Sequence, residues 1–171
     1  MRALVTGSSG LIGTALLEAL RGHGDEGVPL ARGTPNWDPP NGRLNPQALA
    51  GMDAVVHLAG ESIASGRWTQ EKKKRLRESR VEGTRLLAET MSRMANPPRA
   101  LILASAVGIY GNRGDEVLNE RSRPGTGFLA ELCLEWERAA EPARRAGIRV
   151  VHLRFGMVLS PRGWALARML L

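Results

Sequence analysis

The chain has 171 residues, 43% of them hydrophobic, with 24 lysines and arginines against 17 aspartates and glutamates, a net charge of +7. This length supports one buried core and argues against disorder, while no apolar run nears the ~20 residues of a membrane span and MRALVTGSSG lacks the segments of a signal peptide, so a cytoplasmic protein with no membrane partner is expected. Aromatic residues make up only 4%, too few for a base-stacking platform, and the scattered arginines fit a solvated surface or an acidic small ligand better than nucleic acid.

Short apolar runs alternate with longer helical periods, the pattern of an α/β protein with helices covering a parallel sheet. RALVT (2–6) reads as the first strand. LIGTALLEALRG (11–22) carries apolar residues at helical spacing until Gly22 and Gly24 stop it. VPLAR (28–32) is a weaker second strand, and GTPNWDPPNGRLNP is so rich in turn formers that any third strand near residues 43–45 must be short. DAVVHLAG (53–60) is almost continuously apolar, as a strand covered on both faces should be. A long helix is expected over residues 70–94, with the charge run EKKKRLRESR as its solvated face. RALILASA is the next strand, TGFLAELCLEWERAAEPARRAG a helix interrupted near Pro142, and IRVVHLRF the last strand. RGWALARMLL then has the spacing of an amphipathic helix whose apolar residues need cover. The lone Cys133 has no partner for an internal bridge, which fits a reducing compartment, and reads as a small buried side chain.

Chemistry concentrates at the first strand-to-helix turn, VTGSSGLIG. Gly7 permits the tight turn, Gly10 lets backbone approach a diphosphate with no Cβ in the way, and Gly13 lets helix and strand pack closely. The helix N-terminus then offers amides and a partial positive charge to the anion. At the end of the second strand, a carboxylate would select a ribose 2′-hydroxyl and an arginine a 2′-phosphate. Here the residue is Arg32, whereas Asp25 and Glu26 lie before the strand, which points to NADP(H) over NAD(H). His57, inside an apolar strand, reads as a hydrogen-bonded core histidine. Trp68 and Trp136 read as core or pocket-lining residues, and Trp37 has no assignment.

TGSSGLIG, DAVVHLAG, RVEGTRLL, SAVGIYG and LRFGMVLSP together span nearly the whole chain and resemble the extended short-chain dehydrogenase/reductases, in their NAD(P)-dependent epimerase/dehydratase branch. GESIASGRWT and GDEVLNERSRPGTGFLAELCLEWE narrow the likeness to an epimerase-like subfamily labelled cell-division-inhibitor-related. The resemblance implies a doubly wound Rossmann sheet with helices on both faces. It places cofactor contacts at Gly7, Ser9, Gly10, Leu11, Ile12 and Gly13 of the first turn, and at Arg32. Further contacts are implied at Leu58, Ala59 and Gly60 at the end of the fourth strand, at Glu61 just after it, and at Ser105 and Arg154. A smaller substrate lobe would begin near residue 156 and is essentially missing. A longer parent chain or a second copy would supply its surface, and the small-molecule substrate stays unnamed.

The resemblance also implies a Tyr-x-x-x-Lys pair on the helix that starts near Thr126. The tyrosine would exchange a proton with substrate while the lysine lowers its pKa and holds the nicotinamide ribose. Here those positions fall on Phe128 and Leu132, or on Leu129 and Cys133. The only tyrosine is Tyr110, and a phenol without a cationic neighbour is a poor base at neutral pH. Ser105 matches the family's strand-end hydroxyl. Glu61, Glu131, Glu135 and Glu137 are the candidate substitutes, since a carboxylate facing a closed pocket has its pKa raised; each reads first as a solvated side chain, and Glu61, at a strand's carboxyl end, is the best placed of them. Three functions are compatible with these residues: an NADP(H)-dependent oxidoreductase or nucleoside-diphosphate-sugar epimerase with an atypical catalytic set, a non-catalytic NADP(H) sensor, and a regulatory, cell-division-related interaction protein.

Overall fold

In the computed structural model, residues 1–163, 166, 169 and 170 are described. The elements in chain order are β1 (Arg2–Thr6), α1 (Leu11–Gly22), β2 (Glu26–Leu30), β3 (Trp37–Asp38), β4 (Arg43–Leu44), β5 (Ala54–His57), α2 (Gln70–Arg93), β6 (Ala100–Ala106), α3 (Phe128–Arg138), α4 (Glu141–Arg145) and β7 (Arg149–Phe155). Five of the strands form a parallel sheet in the order β2-β1-β5-β6-β7. The chain runs outward from β1 to β2 and then returns to β5 on the other side of β1. The crevice beyond the carboxyl ends of β1 and β5 is therefore where an open α/β sheet places a ligand.

The strand alternation decides which residues meet which helices. Ala3 and Val5 of β1 pack with Leu16, Leu17 and Leu20 of α1. Leu4, one residue out of phase, packs on the opposite face in the main core, with Leu87 and Met91 of α2 and Ala140 and Ala143 near α4. The strands carry apolar residues on both faces because both are covered. Trp37, left unassigned by the sequence, is 1% exposed in that main core and meets His57 edge to face, ring centroids 6.0 Å apart.

Four boundaries differ from expectation. The strand expected over residues 53–60 is β5, which ends at His57, so that Leu58, Ala59 and Gly60 lie past it. The second strand begins at Glu26 because its register is fixed by β1, Arg2 opposite Glu26 through Thr6 opposite Leu30. Arg32 consequently lies two residues past the strand, in the turn. The short third strand exists as β4, but it pairs antiparallel with β3 in a separate ladder and leaves β2, which Pro29 deprives of an amide, at the edge of the sheet. The interrupted helix ends at Arg138, since Pro142 has no N–H for the carbonyl of Arg138 and its ring would clash there. Half of the expected helix RGWALARMLL, residues 164, 165, 167, 168 and 171, falls outside the described residues. No helix of the described residues is long and apolar enough to cross a membrane.

Candidate nucleotide-binding site

The turn between β1 and α1 is built by what its glycines omit. Gly7 has φ +67°, and a Cβ there would lie 2.7 Å from the Ala59 nitrogen and from the Leu58 carbonyl carbon. A Cβ on Gly13 would overlap the carbonyl oxygen of Gly7 and sit 2.7 Å from Ser8 Cα. These two positions let β1, α1 and the segment after β5 close upon one another. Gly10 is different: a Cβ would meet only the Gly7 oxygen, at 3.2 Å, so the missing side chain opens space on the outer side. Exposed Ser9 precedes it.

The first backbone bond of α1 runs from Thr14 N–H to Gly10 O, 2.9 Å. The amides of Leu11, Ile12 and Gly13 therefore have no acceptor within the helix. No side chain caps this end and its first turn holds no acidic residue, so the positive end of the helix dipole is left for an outside anion.

These residues wall a cleft of about 480 Å³ together with residues 58–63, Arg80, Ala104, Trp136 and Val158. A second pocket of about 370 Å³ shares Ala59, Gly60 and Glu61 and continues towards Arg32, Trp37, Pro39, Pro40 and Arg75. The two lie end to end, a shape that suits a dinucleotide straddling the sheet. Arg75 was missed in the sequence because EKKKRLRESR reads as a solvated face. Arg75, Glu78, Ser79 and Glu82 follow the i, i+3, i+4, i+7 spacing of one helical stripe, and that spacing was the available signal.

Glu61 behaves opposite to expectation. Its backbone N–H donates to Ser79 Oγ at 3.0 Å, its carbonyl accepts from Arg80 Nη2 at 2.9 Å, and its carboxylate accepts from Lys72 Nζ at 2.8 Å. The Lys72 side chain, 4% exposed, also donates to Ser65 Oγ at 2.9 Å. The Lys72 hydrogen bond holds the Glu61 carboxyl below the usual carboxylate range, so it stays an ionised clamp and is not a base poised near neutrality. Arg80 lies over the Trp136 ring, 5.2 Å from its centroid, and burial draws its pKa downward although a guanidinium keeps its charge. Trp136 is anchored in turn by Nε1 donating to Thr84 Oγ1 at 2.9 Å.

Ser105, Tyr110 and Arg154 are brought together, but in a different place. Ser105 Oγ donates to Glu137 Oε1 at 2.7 Å, and Arg154 grips both oxygens of the same carboxylate, Nε and Nη2 each at 2.9 Å. Arg154 Nη1 donates to Tyr110 OH at 2.8 Å, so the phenol does have a cationic neighbour, contrary to the sequence reading. Burial would raise the Glu137 pKa, but the bonds from Arg154 and Ser105 prevail and hold it low. That bond also raises the pKa of Arg154. Along β6, Ala104 lines the cleft while Ser105, one residue on, is buried beneath α3. The cluster thus ties α3 to β6 and β7, and none of its side chains lines the cleft walls. Of the helix carboxylates, Glu135 pairs with Arg77 and Glu131 is exposed.

Comparison with known proteins agrees with the fold. A family model described as the NAD dependent epimerase/dehydratase family matches residues 3–169. An epimerase family protein of Mycobacterium bovis is 45% identical over 171 residues, covering 96% of this chain and 56% of the relative. Among solved structures, the nucleoside-diphosphate sugar epimerase of Corynebacterium glutamicum superposes with a TM-score of 0.86 at 40% identity, over 99% of this chain and 36% of that one. The human epimerase family protein SDR39U1, solved with NADPH, gives 0.82 at 34% identity, over 99% of this chain and 58% of that one. The chain spans little more than half the length of the curated relatives it matches. A model matched almost from end to end, on a sheet whose first turn is the glycine cradle just described, places the chain in the NAD-dependent epimerase/dehydratase family.

Proposed function

We propose that this chain is the NADP(H)-binding portion of an oxidoreductase or epimerase that acts on a nucleoside-diphosphate sugar or a related carbonyl compound. The observation that carries the proposal is the uncapped start of α1, its free amides opening on a cleft that runs on to Arg32 and Arg75. The diphosphate lies on the amides of Leu11, Ile12 and Gly13, where Gly10 leaves room. Arg32 and Arg75 receive the 2′-phosphate, a charge-assisted contact that a plain ribose hydroxyl does not repay. Ala59 and Gly60, small and backed by Gly7, let the adenosine half approach the main chain. Glu61 shapes the wall through its backbone, with Lys72 holding it in place. The bound dinucleotide supplies hydride transfer; the residues of this chain bind and orient it. The relative solved with NADPH supports the choice of dinucleotide.

A second reading, a non-catalytic NADP(H) sensor, is favoured by one observation: the hydroxyls of Ser105 and Tyr110 are both engaged in the Glu137–Arg154 cluster. Equilibrium titration with NADP and NAD tests the binding claim. NADP is expected to bind ~10 to 100-fold more tightly, and Arg32→Glu to erase the difference, since a charged hydrogen bond is worth roughly 1.5 to 3 kcal/mol. Gly10→Asp is expected to abolish binding of both while the unfolding transition persists. An unchanged NADP preference in Arg32→Glu would refute the assignment. Turnover of NADPH with nucleotide sugars or carbonyl compounds separates the enzyme from the sensor.

A further inference from the structure

The cations of α2 are nearly all matched with acids. Lys72 and Arg75 meet Glu61, Lys74 meets Glu78, Arg77 meets Glu135, Arg85 meets Glu82, and Arg93 meets Glu89. Arg80 is the exception that points into the cleft. Its acceptors are the Leu76 carbonyl at 3.3 Å, Ser79 Oγ at 3.4 Å and the Glu61 carbonyl at 2.9 Å, all uncharged. Among the described residues it forms no ion pair, and the one carboxylate sharing its cleft, Glu61, is already taken by Lys72. A partly buried guanidinium thus lines the ligand space with no ion-pair partner among the described residues, an expensive arrangement unless the charge has a use.

Its position along the cleft suggests that use. Arg32 and Arg75 mark the 2′-phosphate end, beside β2. Arg80 stacks on Trp136, which with Ala104 and Val158 lines the other end, beside β6, where the nicotinamide half of a dinucleotide draped over the glycine turn must lie. The phosphates of the two redox forms carry the same charge and feel Arg80 alike. The rings do not: the oxidised nicotinamide is a cation and the reduced one is neutral.

We infer that Arg80 makes this cleft selective for the reduced dinucleotide, so that NADPH binds more tightly than NADP⁺. The inference rests on the NADP(H) reading given above. Two unit charges roughly 6 to 10 Å apart at an effective dielectric near 20 give on the order of a tenfold to hundredfold preference. Each tenfold raises the midpoint potential of the bound two-electron couple by about 30 mV. A protein so biased rests charged with reductant, ready to reduce a carbonyl or to report the NADPH pool. It is poorly suited to begin by oxidising a sugar carbinol, the step with which inversion through a ketone must start.

The test is a pair of dissociation constants, for NADPH and for NADP⁺, on the wild-type chain, on Arg80→Met and on Arg80→Lys. The wild type is expected to favour NADPH by at least about tenfold. Arg80→Met, which keeps an apolar stem against Trp136, is expected to bring the ratio near one, chiefly by tightening NADP⁺. Arg80→Lys is expected to keep most of the ratio. A wild-type ratio below about threefold, a ratio that survives in folded Arg80→Met, or one lost in folded Arg80→Lys overturns the inference. So does equal weakening of both forms by Arg80→Met, which would make Arg80 a diphosphate ligand. If Arg80→Met does not fold, the wild-type and Arg80→Lys ratios decide. Failure of the wild type to bind either form would instead sink the cofactor reading itself.

Discussion

His57 shows what a single buried side chain costs and controls. It is fully buried beneath α2, with Nδ1 2.6 Å from Thr6 Oγ1, and Nε2 has no partner among the described residues. Burial, helped by the nearby charge of Arg80, lowers its pKa from 6.5 to about 4. Between those values the unfolded chain binds the extra proton and the folded chain refuses it. Stability is therefore fully present above pH 6.5 and falls as the pH drops towards 4, by about 3 kcal/mol across that window. Urea unfolding at pH 7 and pH 4.5 checks this: wild type is expected to lose more stability than His57→Gln, in which the exposed carboxylates titrate just the same. Equal losses would mean that the imidazole takes up its proton in the fold. The same logic of surroundings separates Glu61 from the role its position advertised. A strand-end carboxylate becomes a base only when nothing pairs with it, and Lys72 does.

Helix α2 is the element on which most of the site depends. Its start is held by Thr69, whose side-chain oxygen accepts from the Lys72 amide at 3.2 Å. Thr69→Ala is expected to cost about 1 kcal/mol, read as a lower urea midpoint. One turn in, Lys72 fastens residues 61–69 to the helix through Glu61 and Ser65. Lys72→Met should release that segment, seen as faster tryptic cleavage after the exposed Arg67; an unchanged cleavage rate would show that other contacts hold it. This helix also marks the limit of what the sequence discloses. Its existence and length were legible in the sequence, as a long helix over residues 70–94 with a charge run on its solvated face; the threonine that caps it was not singled out. Which stripe faces the cleft depends on how the helix lies on the sheet, so Arg75 and Arg80 stayed hidden inside a charge run. The other strong segments, β1, α1, β6 and β7, were equally legible because their periods and their glycine or proline stops are local. The register of β2 is dictated by its neighbour and was misread by two residues. The bond between Tyr110 and Arg154 joins residues 44 apart, a closeness that no spacing rule anticipates.

For the molecule as a whole, the cleft joins its two sides: the turn between β1 and α1 supplies the glycines and free amides, and the ends of β5 and β6 with α2 and α3 supply the opposite wall. A ligand that needs both sides stabilises only the complete fold. NADP at 100 times its dissociation constant should add about 2.7 kcal/mol, a rise in melting temperature of roughly 5 to 11 °C for a chain of this size. Differential scanning calorimetry would register it, and Gly10→Asp should show none.

The contact of Gly7 with the main chain of Leu58 and Ala59 also sets a schedule for the newborn protein. A ribosome that has released the chain only as far as Met52 has made the bend but not the surface behind it, and β1 still has one flank bare. Docking of dinucleotide must wait for β5 to emerge and settle alongside. Until then the exposed flank of β1 is open to mispairing with other nascent chains. Capture of the ligand consequently cannot precede the emergence of β5, and in cells depleted of the nucleotide the yield of folded protein should fall.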